Sequence, residues 1–118
     1  MGVFDKIKGA VVNAAGNAKA VYEQAAAMDL ESLCAAMKEL KLIDPKMIAY
    51  RAALNAKCGE MGDQQLEKFY AYIKKQGNIL KNHPGQETVE NELVRREMYI
   101  RDEATGTIHK NHSYRRNW

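Results

Sequence analysis

Five side chains of this sequence are the ones best suited to chemistry: His83, His109, His112, Cys34 and Cys58. His109 and His112 form an HxxH pair. On one face of a helix such a pair could hold a divalent metal, whereas on a strand a spacing of three sends the two rings to opposite faces. No cysteine or carboxylate cluster joins them in sequence, so neither a metal site nor a cofactor is expected. His83 precedes Pro84 in NHPGQ, residues 82–86, and reads as an exposed loop residue. Cys34 and Cys58 fall in segments that read as helix interiors, where a thiol serves as a small hydrophobe. Two cysteines do not make a disulfide framework, and a reducing, cytoplasmic setting is the expectation. The chain carries no phosphate-binding glycine loop, nucleophile elbow or paired-carboxylate signature. This inventory points to a binding protein rather than an enzyme.

The elements that would carry such residues are mostly helical. At 118 residues with a hydrophobic fraction of 46%, the chain is expected to form one domain, residues 1–118, of the globular class. No run of apolar residues is long enough for a transmembrane helix. Asp5, Asn13 and Asn17 interrupt the stretch that a signal peptide would keep apolar.

Ten apolar residues from Val3 to Ala25 recur at steps of three and four and fall in a stripe about 120° wide, broken only by Val12 outside it, predicting an amphipathic N-terminal helix over 1–27. Val11 through Tyr22 on that stripe are expected in the core. Asp29 is placed to cap a second helix with Leu30, Leu33, Cys34, Met37 and Leu40 inward. Asp44-Pro45 opens a third, which carries Met47, Ile48, Tyr50 and Leu54 and stops at Cys58-Gly59. Gly62-Asp63 opens a fourth, with Leu66, Phe69, Tyr70 and Ile73 inward and an end near Gly77. After the NHPGQ loop a fifth runs from about Glu87 to Arg96, with Val89, Leu93 and Val94 apolar. Residues 98–110 read as a β-hairpin turning at Gly106, with Met98 and Ile100 alternating with Tyr99 and Arg101. The predicted fold class is therefore mainly α, a compact bundle of about five helices with a small C-terminal β-hairpin.

Charge is unevenly placed within a net of +3. Residues 1–59 hold eight bases and six acids, residues 60–105 seven and nine, and the last thirteen hold Lys110, Arg115 and Arg116 with no acid. Two candidate contact regions follow. The first is the start of the chain, where Phe4, Ile7 and Val11 could enter an acyl boundary while Lys6 and Lys8 meet anionic headgroups. The second is the basic tail, residues 111–118, NHSYRRNW, with Lys110 beside it. There Lys110, Tyr114, Arg115, Arg116 and Trp118 could meet phosphates or bases by charge and stacking, or dock an acidic protein surface.

GVFDKIKGAV, ten residues of the chain, resembles the N-terminal membrane-associating segment of the glucose-specific enzyme IIA family of the bacterial phosphotransferase system, which implies reversible attachment to a membrane surface. VENELVRREMYIRDEATGTIHKN resembles the close of a winged-helix domain in its order of elements, which implies DNA contact by the helix before the wing. Glu87, Glu90 and Glu92 on that helix would repel phosphates. The expected function is a small non-enzymatic protein-binding or adaptor protein of the inhibitor, immunity or regulatory type, as small bacterial proteins often are. Its partner would be another protein. A peripheral membrane-surface protein held by the N-terminal helix is the second reading, and nucleic-acid binding the third.

Overall fold

The computed structural model describes residues 19–41 and 43–114. Among them are five helices and one hairpin: α1 (helical over 19–27), α2 (Leu30–Glu39), α3 (Lys46–Glu60), α4 (Asp63–Lys75), α5 (Gln86–Arg95), β1 (Tyr99–Arg101) and β2 (Ile108–Lys110). The chain divides into two units, Met1–Ala53 and Leu54–Trp118, with the boundary inside α3. No helix among the described residues is long and apolar enough to cross a membrane.

In the first unit the helix starts follow from short acidic side chains. Asp29 caps α2, its Oδ1 accepting the Ser32 amide at 2.7 Å. Asp44 does the same ahead of α3, accepting the Lys46 amide at 2.9 Å, and Pro45 sits where no amide donor is needed. Leu33, Cys34 and Met37 form the buried face of α2, while Leu30 and Leu40 at its ends are half-buried.

One expectation fails in this unit, and one aliphatic side chain stays in water. Of α1, Ala25 is fully buried and Val21 half-buried, but Tyr22 is 37% exposed and stays out of the core. On α3, Ile48 is 75% exposed. The buried residues of that helix, Met47, Ala49, Ala53, Leu54 and Cys58, do not form one stripe, and Ile48 lies off both sides they define.

In the second unit α4 packs on α5, and α5 on β1. Leu66, Phe69, Tyr70 and Ile73 are all buried, at the three- and four-residue steps of one helix face. Val89 and Leu93 face inward from α5, and Val94 is half-buried. α5 ends in a Schellman turn. Glu97 takes φ +64°, its amide donates to Val94 O at 2.9 Å, and the Met98 amide donates to Leu93 O at 3.0 Å. The apolar partners that accompany this motif, Leu93 and Met98, are both buried.

The hairpin is antiparallel, with Tyr99 opposite Lys110, Ile100 opposite His109 and Arg101 opposite Ile108. The Asp102 amide donates to Thr107 O at 2.8 Å, and Gly106 supplies the left-handed residue at φ +73°. Met98 is buried as part of the helix-ending turn, so the strand's inward side is Tyr99, and Ile100 points out at 46% exposure. Asn111 closes the base of the hairpin. Its amide reaches Met98 O at 2.9 Å and its Nδ2 reaches Glu97 O at 2.7 Å.

Candidate functional site

The first candidate region, Phe4, Lys6, Ile7, Lys8 and Val11, lies outside the described residues, as do Arg115, Arg116 and Trp118 of the second. Of the tail, Lys110 ends β2 with its residue exposed. Tyr114 is half-buried, and its hydroxyl donates to Asp63 Oδ2. His109 is exposed on β2 and His112 is exposed in the turn that follows. No group of three or more His, Cys, Asp or Glu residues placed to hold a metal occurs among the described residues.

His83 differs from expectation: it is buried at 3% exposure. Its Nδ1 accepts the Gly85 amide at 2.9 Å and its carbonyl accepts the Gln86 amide at 3.0 Å, so the ring is built into the turn that starts α5. An accepting Nδ1 places the proton of a neutral ring on Nε2. Gly85 is required here, since a Cβ would stand 2.6 Å from Leu54 Cδ2 and 3.1 Å from Ile73 Cδ1.

Several titratable groups of the second unit are drawn into two networks. In one, Arg96 donates through Nε to Glu92 at 2.7 Å and through Nη1 to Asp63 at 3.0 Å. Its Nη2 reaches the carbonyls of Cys58 at 2.9 Å and Met61 at 2.8 Å. Cys58 lies in the last turn of α3, where its carbonyl also takes the Met61 amide at 3.1 Å, and Met61 follows the helix, where helical partners run out. Arg95 completes the set with two bonds to Glu92, at 2.8 and 2.6 Å. The Arg95 bonds, then those of Arg96, hold the Glu92 carboxyl at a pKa of about 2 against the opposing effect of burial.

In the other network the rings of Tyr70 and Tyr99 meet edge to face at 5.7 Å. Tyr70 donates to Glu90 at 2.8 Å, and Tyr99 donates to Glu67. Burial first, and then these carboxylate partners, push both phenols well above the ordinary tyrosine range. Each therefore stays a donor rather than becoming a base. Burial likewise pushes the Cys34 thiol up to about 11, away from the nucleophilic thiolate.

A different feature faces outward between α4 and α5. Residues 78–81 form a tight turn closed by the Asn78 amide donating to Lys81 O at 2.9 Å. Asn78 Oδ1 accepts the amides of Leu80 at 2.8 Å and Lys81 at 3.0 Å. The chain returns close to itself at Gly77, where a Cβ would lie 3.1 Å from Lys81 O, Asn82 Cα and His83 N. At the tip Ile79 and Leu80 are 103% and 93% exposed. Single exposed aliphatics are common, but two adjacent ones on an ordered turn are a candidate contact surface. From Lys68 to Gln86 the chain has four lysines and no acid.

Sequence alone does not single out this turn, because NILKN has neither helical nor strand periodicity and reads as loop. The only available cue was Asn78 two and three residues ahead of the amides it caps. Arg96 was missed because its partners lie 33–38 residues away.

No protein-family model, curated protein or solved structure matches this chain.

Proposed function

We propose that this chain is a non-enzymatic adaptor or binding protein that acts through its surface, with the Ile79–Leu80 turn as its point of contact. The carrying observation is that both side chains stand fully in water on a turn held by three hydrogen bonds of its own, from the Asn78, Leu80 and Lys81 amides. Full burial of each is worth roughly 1.5–3 kcal/mol, and a preformed turn spends little of that on ordering. The polar networks support the same reading, since Glu67, Glu90, Glu92 and Asp63 accept bonds from this chain's own donors.

A photo-crosslinking residue in place of Ile79 tests the proposal in a cell extract that retains its membranes. A discrete adduct, to protein or lipid, is expected there and is not expected for the same residue in place of Glu103 in the hairpin turn. Equal, diffuse labelling from both positions would overturn it.

A further inference from the structure

Resting on that reading, we infer that the 78–81 turn contacts an anionic lipid surface, with Ile79 and Leu80 at the acyl boundary and lysines at the headgroups. Lys81 lies in the turn itself, and Lys74 and Lys75 close the helix just before it. Lys74 Nζ is held 4.7 Å over the Tyr70 ring. Residues 68–86 themselves contain no carboxylate side chain, so the turn and its flanks bring only positive charge of their own to phosphate or carboxylate headgroups.

Backbone chemistry favours lipid over a protein pocket. A protein pocket offers acceptors to any amide it covers, whereas an acyl layer offers none. The Leu80 and Lys81 amides need none, because Asn78 Oδ1 accepts both, and the Asn78 amide is spent on Lys81 O. The turn can thus leave water without stranding those donors. Its base is fixed by the close return at Gly77 and by buried His83, so the tip meets the surface already shaped.

The test is sedimentation of the full chain with phosphatidylcholine vesicles, with and without phosphatidylserine. Binding is expected only with the anionic lipid, falling as salt rises. Ile79→Ser with Leu80→Ser should lower the partition coefficient about a hundredfold while the melting temperature stays unchanged, because both side chains are exposed. Lys75→Gln with Lys81→Gln should lower it roughly thirtyfold.

Residues 1–11 carry apolar and lysine side chains of their own, so location must be read separately. An environment-sensitive dye on Ile79→Cys should shift on vesicle addition, and one on Glu103→Cys should not. Vesicle binding that ignores the Ile79 and Leu80 substitutions, or leaves the residue-79 dye in water, overturns the inference. So does the absence of binding to phosphatidylserine vesicles. In that case a protein adduct from position 79 would sink the lipid assignment alone and leave the binding role standing.

Discussion

The guanidinium of Arg96 lies 3.0 Å from the carboxylate of Asp63, thirty-three residues earlier, and that contact joins the last turn of α5 to the first turn of α4. The same Arg96 takes the terminal carbonyls of α3. Arg96→Ala would leave Glu92 with one cation instead of two and uncover those carbonyls. The expected cost is about 3 kcal/mol, measured by urea unfolding. Arg96→Lys should recover only part of it, because an ammonium cannot reproduce the planar fork that serves three sites.

Acid should expose the Glu92 network. Its folded pKa of about 2 lies below the ordinary glutamate value of 4.5, so the native state binds fewer protons in that window. The stability it contributes is present above pH 4.5 and is lost as pH falls toward 2. The full effect is on the order of 3 kcal/mol. Glu92→Gln should be less stable at neutral pH and show a flatter slope between those limits, read by denaturant titration at several pH values.

The tyrosine pair sets an opposite limb. Both phenols are raised above the ordinary tyrosine value of 10.0, so the folded chain keeps protons that the unfolded chain releases. Stability should therefore decline as pH rises past about 10. A Tyr70→Phe, Tyr99→Phe double variant should lose roughly 2 kcal/mol at neutral pH, where both hydrogen bonds are formed. It should also decline less above pH 10, and an unchanged alkaline slope would count against the pairing.

Glu97 holds a left-handed backbone that suits glycine better than a residue with a Cβ. Glu97→Gly should stabilise by about 1 kcal/mol, raising the melting temperature by roughly 3–5 °C. A lower melting temperature would mean that the Glu97 side chain contributes more than the strain removes.

Two glycine-to-alanine changes should differ in sign. At Gly85 the new Cβ meets Leu54 Cδ2 at 2.6 Å, and Leu54 is fully buried and cannot swing aside. Gly85→Ala should cost about 1–3 kcal/mol. Gly59 lies within α3 with nothing within 4 Å, so Gly59→Ala should gain about 0.5–1 kcal/mol. Thermal melts of the two variants decide both.

The helices were legible because their causes are local. Asp29 and Asp44 cap within three residues, and Leu66, Phe69, Tyr70 and Ile73 repeat at the helical period. Gly106 likewise announced its turn. What stayed hidden depends on distance along the chain. The burial of His83 follows from its bond to Gly85 and from the packing of Gly85 on Leu54 and Ile73, which no window of neighbouring residues reveals. Ile100 faces water because the side of β1 that packs is set by Tyr99 reaching Glu67. Glu97 carries none of the glycine or asparagine preference that marks a left-handed helix end. For the candidate site, charge was readable over residues 68–86, but the outward stance of Ile79 and Leu80 depends on where the turn is anchored.

The reach of Arg96 also imposes an order in time. Cys58 and Met61 leave the ribosome 38 and 35 residues ahead of the cation that takes their carbonyls. At about 5–20 residues per second, that interval is roughly 2–8 s. For those seconds the Met61 carbonyl is left to water, and the Cys58 carbonyl keeps only the Met61 amide. A pause in translation anywhere between these positions would lengthen the exposure without altering a single residue of the finished chain.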